Sequence, residues 1–227
     1  MKTSTKDTLL GIALVNVATC AWATNIILGR YLRGQIGPLT LTAGRYVVAS
    51  AVFALILRTK PAEERKPGGD LKLLAAMALT GVVLFAPALY FGLRFTSAVN
   101  GTLINGLGPL LTAGFAAWLI KEPFSGRQVA GSIAALAGVA VLLSGGAGPG
   151  AARVNPGDLL IVCAVLFWAL YSVAVRKVVK RRSPLSATAL SMFMGLPILV
   201  VAAVVESITA PVAWSAEIGR AACRERV

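Results

Sequence analysis

Arg45 carries a fixed positive charge inside an apolar stretch, GRYVVASAVFALIL, and is the clearest chemical signal in the sequence. A guanidinium at membrane depth is costly unless it is paired or faces water, so it counts as a candidate functional residue. Its planar fork of donors can hold a carboxylate through two parallel hydrogen bonds. A structural hydrogen bond between helices, or snorkelling to the membrane interface, explains the residue equally well.

Polar and aromatic residues recur at every third position of the first apolar segment, from Asn16 and Thr19 to Trp22 and Asn25. Neighbours at this spacing touch along one face of a helix. Trp22 and Asn25 can line a cavity, one as an aromatic wall and the other through its amide. Hydrogen bonding between helices accounts for the asparagine as cheaply.

The fourth apolar segment is predicted to have a polar face, because Thr102, Asn105, Pro109 and Thr112 fall at helical spacing. Pro109 has no amide proton, so the carbonyl oxygen of Asn105 would lose its helical partner. Such carbonyls are tolerated at membrane depth where they face protein or a wet cavity. We expect a cavity-lining helix with a kink, and a kink that serves packing is the alternative.

The third apolar segment also contains a proline. Pro87 is expected to kink its helix by freeing the carbonyl of Val83, and Tyr90 follows one turn later.

Trp168 and Tyr171 of the sixth segment occupy places equivalent to Trp22 and Asn25, which favours a cavity. The predicted substrate-binding set is therefore Arg45, Trp22, Asn25, Tyr90, Asn105, Thr102, Trp168 and Tyr171, with helix kinks at Pro87 and Pro109. It contains no catalytic residue and no metal ligand.

Membrane-spanning helices must position these residues. Hydrophobic residues make up 57% of the 227 positions and charged residues 14%, and the apolar runs have the length that crosses a bilayer as a helix. Seven spans are predicted, near 9–29, 38–58, 72–93, 97–119, 127–145, 157–178 and 184–206. The fold class is all-α, a polytopic membrane helical bundle. Small residues are expected to let helices approach closely at Gly106, Gly114, Gly131, Ser132 and Gly138.

An internal repeat organises the spans. The segment GIALVNVATCAWATNIILGR at 11–30 has its counterpart in GDLLIVCAVLFWALYSVAVR at 157–176, 146 positions later. The first unit holds five spans, an odd number, so the second starts from the opposite membrane face. We divide the chain into a first repeat, the start of a second repeat and a tail, at 1–146, 147–216 and 217–227. Inverted repeats are typical of secondary transporters, and a duplicated bundle without transport is the alternative.

The basic residues predict the orientation of the spans. With the N-terminus placed in the cytoplasm, fourteen Lys and Arg residues before the tail lie on the cytoplasmic side. Four lie on the other side, namely Arg30, Arg33, Arg94 and Arg153. Cytoplasmic loops carry such an excess of positive charge. We therefore predict a multi-pass protein of a bacterial-type cytoplasmic (inner) membrane with its N-terminus inside.

The order and spacing of several motifs resemble the EamA-type branch of the drug/metabolite transporter superfamily. These motifs are Trp22-Ala23-Thr24-Asn25, Arg45 in GRYVV, YFGLRFTSAVNGTLINGLGPLLTA at 90–113, Lys121-Glu122-Pro123, and Gly157-Asp158 followed by Trp168 and Tyr171. The similarity covers nearly everything from Asp7 to about Glu206. It implies ten helices as a five-plus-five inverted repeat. It also implies outward movement of small metabolites, often amino acids or related compounds, commonly coupled to an ion gradient.

We therefore expect a secondary active transporter that exports small polar metabolites by alternating access. Its expected partners are a small-molecule substrate, the lipid bilayer and a coupling proton or other ion, with no cofactor and no nucleic acid; the sequence does not determine the oligomeric state. A membrane-embedded enzyme is a weaker alternative, because His is absent and no acidic pair or serine–base arrangement is visible. A non-transporting membrane scaffold is another, and it predicts that Arg45, Asn25 and Asn105 face lipid or packed protein.

The end of the chain departs from the ten-helix pattern. About seven helices are predicted, and the last eleven residues, EIGRAACRERV, resemble a translated sequencing-library adapter. Arg220, Arg224 and Arg226 would also lie on the non-cytoplasmic side, against the charge bias. We expect the homologous sequence to end near Ala216. A genuine seven-helix protein with a short outer end is the alternative.

Sequencing the gene from independent DNA, through and past the codon for Ala216, tests this expectation. Three further hydrophobic spans, matching the third to fifth helices in order, are the expected result, because a second unit of the repeat needs five helices. A reading frame that closes after Val227 would contradict the five-plus-five organisation.

Overall fold

The computed structural model describes residues 5–32, 35–121, 126–143 and 155–209, and the regular elements in these ranges are all helices. The α-helices are α1 Thr5–Tyr31, α2 Pro38–Arg58, α3 Ala62–Arg65, α4 Leu71–Met77, α5 Phe85–Phe95, α6 Ala98–Asn105, α7 Gly108–Ile120, α8 Gly126–Leu143, α9 Pro156–Val178 and α10 Pro184–Thr209. A 3₁₀ turn, Gly68–Asp70, precedes α4, and a π-helical segment, Ala78–Leu84, joins α4 to α5. The predicted all-α class is confirmed.

Six stretches of the described chain are long and apolar enough to cross a membrane. They correspond to the predicted spans except the fifth, which forms α8, a helix of 18 residues that is not among the six. Large apolar side chains are exposed along these helices, such as Val17 on α1, Trp118 on α7 and Val201 on α10. Apolar exposure of this extent is expected where helices face lipid. The glycine-rich linker predicted between the repeats lies largely outside the described residues.

The third predicted span contains a widened turn before its proline. The π-helical segment Ala78–Leu84 ends three positions before Pro87, and the amide of Phe85 donates to the carbonyl of Thr80. A π segment disrupts the regular ladder of an α-helix in the same way as a proline does, and such segments are frequent at functional sites. The irregularity predicted at Pro87 is therefore a change of helix type that begins two turns before the proline.

The fourth predicted span is interrupted just before Pro109, so the irregularity expected there is a break between two helices. Two helices occupy this span, α6 and α7, and the chain between them turns at Gly106 and Leu107. Pro109 lies in the first turn of α7, where backbone amides have no hydrogen-bond partner within the helix, so its missing N–H removes no helical bond. The polar face expected from Thr102 to Thr112 is consequently divided between two helix axes.

The two predicted repeat units pack through two groups of helices. In one, α9 packs against α5, α6 and α7, and in the other, α2 packs along α10. Leu89 and Leu93 of α5 meet Ile161 and Val165 of α9 in a fully buried cluster. Each of these groups contains helices of both repeat units, so the two units share a core.

Close helix approach depends on other glycines than those predicted. A β-carbon at Gly92 of α5 would lie 2.6 Å from Cγ1 of Ile161 and 2.9 Å from the carbonyl oxygen of Gly157. Gly114, Gly131 and Gly138 have no atom of the described residues within 4 Å of an added β-carbon, so the packing role predicted for them is not seen in this part of the chain. Glycine positions alone predict helix contacts poorly, because the sequence does not show whether the face that carries a glycine contacts another helix or lipid.

A cluster of charges joins the repeats at one membrane face, which is called the inner face below because the predicted topology places it in the cytoplasm. The Asp70 carboxylate pairs with Arg182 at 3.2 Å and with Arg181 at 3.3 Å. Arg182 also donates to the carbonyl oxygens of Lys66 and Pro67, at 3.1 Å and 2.8 Å. One half-buried guanidinium thus ties residues 66–70 to the turn between α9 and α10.

The antiparallel pair of α2 and α10 is closed by a carboxylate at each end. At the outer face, Glu206 of α10 accepts from the amide and hydroxyl of Thr40, at 2.8 Å and 2.9 Å, and from the amide of Leu39 at 3.2 Å. At the inner face, Glu64 accepts from the hydroxyl of Ser183 at 2.7 Å, beside the start of α10. Negative charge is favourable at helix N-termini.

Substitution of Gly92 by alanine should lower the free energy of unfolding by about 1–3 kcal/mol, because the added methyl overpacks a backbone contact that cannot yield. Gly114→Ala is the matched control, since it also lies in a helix but its side faces open space; it should be neutral or stabilise by up to about 1 kcal/mol. Denaturation by SDS in mixed micelles measures both. Equal effects of the two variants would contradict the close approach of α5 and α9.

Candidate central cavity

A cavity of about 250 Å³ lies between α1, α2, α5, α9, α10 and the π-helical segment. Its walls therefore come from both repeat units. The lining residues are Trp22, Asn25, Arg45, Tyr46, Ala49, Gly81, Val82, Phe85, Ala86, Leu89, Tyr90, Trp168, Tyr171, Thr188, Ser191 and Met192. A mostly apolar wall with a few polar groups is typical of small-molecule sites.

Six of the eight predicted site residues line this cavity, namely Trp22, Asn25, Arg45, Tyr90, Trp168 and Tyr171. Asn105 lines a different cavity, and Thr102 is exposed on α6 and lines neither. Asn16 and Thr19, which precede Trp22 on the same row, donate back to carbonyls of their own helix at 2.8 Å and 2.9 Å. Of the four residues at this spacing on α1, only Trp22 and Asn25 therefore line the cavity.

Arg45 is held by a chain of hydrogen bonds through three helices. Its Nη1 donates to the hydroxyl oxygen of Tyr90, whose hydroxyl donates to Oδ1 of Asn25 at 2.5 Å. The guanidinium carbon also lies 5.5 Å from the centre of the Tyr90 ring, within the range of a cation–π contact. A guanidinium has five N–H donors. Fixing one of them on Tyr90 orients the group and leaves donors for a ligand oxygen.

Four aromatic rings form one wall of the cavity. Trp22 lies 5.8 Å from Phe85 and 5.1 Å from Trp168, and Phe85 lies 4.9 Å from Trp168, between ring centres. Tyr171 extends the wall, 5.1 Å from Trp168. Ring pairs at these separations are stabilising beyond the area they bury. The wall therefore offers an apolar aromatic surface in the cavity that Arg45 also lines.

The lining residues repeat the offset found in the sequence. Four pairs of them are 146 positions apart, namely Trp22 and Trp168, Asn25 and Tyr171, Arg45 and Ser191, and Tyr46 and Met192. Equivalent positions of the two predicted units therefore line the same cavity. Its charge is not symmetric, because Arg45 is a cation and Ser191 is neutral. Among the described lining residues there is no Asp or Glu.

Sequence reasoning missed Tyr46, Phe85 and Thr188 as cavity residues. The Tyr46 hydroxyl donates to the carbonyl of Gly81 at 3.1 Å, in the π-helical segment. The positions 146 residues after Arg45 and its neighbours lie on α10. The repeat offset could therefore have identified the face of α10 that carries Ser191 and Thr188. Phe85 had no such signal, because an isolated phenylalanine in an apolar run is ordinary.

A second cavity, of about 400 Å³, adjoins the first toward the inner face. Its lining residues are Trp22, Asn105, Gly108, Pro109, Thr112, Ala113, Gln128, Trp168 and Arg176. Trp22 and Trp168 line both cavities, so their rings form a shared wall. Arg45 in turn lines an open groove along α2, with Thr40 and Val48.

Comparison with known proteins was made on sequence and on fold. The sequence model of the EamA-like transporter family matches residues 9–144 and 155–222. An uncharacterized transporter of Bacillus subtilis, YyaM, is 34% identical over 199 residues, which are 85% of this chain and 62% of YyaM. A probable terminal-alkyne amino-acid exporter of Streptantibioticus cattleyicolor is 29% identical over 79% of this chain and 60% of its own length.

One solved crystal structure has the same fold, with a TM-score of 0.61 at 23% identity. The superposition covers 93% of this chain and 70% of the solved one. The chain thus spans less than two thirds of the length of YyaM and of the Streptantibioticus exporter.

Tyr90→Phe should lower the free energy of unfolding by about 1.5–3 kcal/mol, because it removes a hydrogen bond to a charged group and the donor to Asn25. In the Tyr90→Phe background, Asn25→Ala should lower the free energy of unfolding little further. A double-mutant cycle measures this coupling. Tyr31→Phe, at the exposed end of α1, is the matched control and should be neutral. Additive effects at Tyr90 and Asn25 would contradict the coupled network.

Proposed function

We propose that the chain, which belongs to the EamA-like transporter family, holds the substrate site of a secondary active exporter of small polar metabolites, such as amino acids or related compounds. The observation that carries this proposal is the central cavity, which lies between the two repeat units and presents one guanidinium beside an aromatic wall. Binding a carboxylate there would satisfy the donors that Tyr90 leaves unused.

Alternating access is supported by the way the cavity is built. Lining residues of the two units are related by one sequence offset, as expected for inverted repeats that rock about a shared site. The unit interface also contains a π-helical segment and a broken fourth span, which are local departures from rigid helix. These elements can change geometry at low cost because their hydrogen-bond ladders are already irregular.

The size and polarity of the cavity indicate the class of substrate. A volume of about 250 Å³ suits a molecule of the size of an amino acid. The guanidinium favours a carboxylate, and the rings of Trp22 and Trp168 favour an apolar or flat remainder. The name of the Streptantibioticus relative, an amino-acid exporter, supports the same class.

The membrane orientation follows from charge. With the N-terminus in the cytoplasm, the basic cluster of Arg181 and Arg182 and the loop 59–70 lie together on the cytoplasmic side, as the excess of positive charge requires. The expected location is a bacterial-type cytoplasmic membrane. A proton or another ion is the proposed driving partner, because no nucleotide-binding loop occurs in the sequence.

The scaffold alternative predicted that Arg45, Asn25 and Asn105 would face lipid or packed protein. Arg45 and Asn25 line the central cavity, joined through Tyr90, and Asn105 lines the second cavity, which supports transport instead. An enzyme would need a base or a nucleophile near the guanidinium, and the described lining of the cavity supplies neither a carboxylate nor a histidine.

Substitution of Arg45 by glutamine should lower the initial rate of amino-acid counterflow into proteoliposomes by at least about tenfold, since losing a charged hydrogen bond costs about 1.5–3 kcal/mol. A panel of radiolabelled amino acids with wild-type protein identifies the substrate first. Arg58→Gln, an exposed arginine at the inner end of α2, is the control and should retain activity. Equal rates for the two variants would refute the carboxylate site.

A further inference from the structure

The second cavity has the chemical features of a binding site in its own right. Its volume of about 400 Å³ exceeds that of the central cavity, and it extends from the shared wall of Trp22 and Trp168 to the inner end of α9 at Arg176. Its other polar residues are Asn105 at the end of α6, Thr112 on α7 and Gln128 on α8. It therefore joins the broken fourth span to the second repeat unit.

The polar groups of this cavity point to an anion. Arg176 is its charged residue, and no Asp or Glu is among its described lining residues. Nδ2 of Asn105 is buried and has no hydrogen-bond partner among the described residues. Buried donors in proteins usually have a hydrogen-bond partner, so a bound ligand with an acceptor atom would account for this one. A guanidinium and an amide donor together are suited to the oxygens of a carboxylate.

The two cavities have similar linings. Among the described residues, each is lined by one arginine and by no acidic residue, and the Trp22–Trp168 pair is part of both walls. The ring centres of that pair are 5.1 Å apart. Arg45 lines the cavity on one side of this shared wall, and Arg176 lines the other cavity.

We propose that the second cavity is a loading site for the transported carboxylate, held by Arg176 and Asn105, from which it passes the Trp22–Trp168 pair to Arg45. This inference rests on the proposed function, because it assigns the same substrate class to both cavities. The loading site lies at the inner face, where α8 begins and α9 ends. The chain therefore binds two carboxylates at saturation.

Equilibrium binding of radiolabelled benzoate to the purified chain in lipid-free detergent counts the sites. Benzoate is the probe because it combines a carboxylate with a flat ring that the indoles can contact. The expected stoichiometry is two per chain for wild type, and one for both Arg176→Gln and Arg45→Gln. Lys177→Gln, which removes a charge one residue further along α9 outside the cavity lining, is the control and should keep two.

The pattern of losses separates the two proposals. One benzoate per chain, abolished by Arg45→Gln and unchanged by Arg176→Gln, would overturn the loading site and leave the central site intact. One benzoate abolished only by Arg176→Gln would support the loading site and refute the central one. Asn105→Leu should weaken the Arg176-dependent site at least about fivefold, and unchanged affinity would remove Asn105 from it.

An anionic lipid headgroup offers similar oxygens to Arg176, and a second arm of the experiment distinguishes it. Benzoate binding is repeated with excess phosphatidylglycerol or excess phosphatidylcholine in the micelles. Two sites in both mixtures support a loading site for soluble carboxylate. Loss of the Arg176-dependent site only with phosphatidylglycerol would show a lipid site and overturn the proposal.

Discussion

The charge of Arg45 is the constraint on which the centre of this bundle depends. A guanidinium within a membrane-spanning helix is stable only if neighbouring groups or water share its charge. Tyr90 accepts one of its hydrogen bonds and places a ring face beside it, and Asn25 fixes the Tyr90 hydroxyl in turn. Three helices are thereby held in one register around a cavity. The residue that makes the cavity polar also determines where its walls stand.

The remainder of the architecture joins the two predicted repeat units. The glycine contact of α5 with α9 and the buried cluster around Leu93 and Ile161 give a shared apolar core. Polar contacts lie at the two ends, where Glu206 meets α2 and Arg182 meets Asp70. The side chains of Arg182 and Asp70 are only 10% and 9% exposed, so this ion pair is largely shielded from water. Apolar packing therefore joins the units along their length, and hydrogen bonds and ion pairs join them at the membrane faces.

Irregular helices occur where the cavities lie. The π-helical segment contributes Gly81 and Val82 to the central cavity, and the carbonyl of Gly81 accepts from Tyr46. The break between α6 and α7 lies beside Asn105 and Gly108 of the second cavity. Backbone that departs from the α-helix at membrane depth is tolerated where protein or a wet cavity satisfies it. The irregular backbone and the cavities therefore have one physical cause.

The sequence by itself determined the helical class, the approximate ends of the spans, the repeat offset and six of the residues that line the central cavity. It could do so because bilayer thickness sets span length and because a charged or amide side chain in an apolar helix is costly enough to be informative. Tertiary structure decided which prolines disturb a helix, which glycines touch another helix, and that Asn105 belongs to a second cavity. Those outcomes depend on which face of each helix meets a neighbour, as at Gly92 and Gly114, and no local pattern of residues encodes that choice.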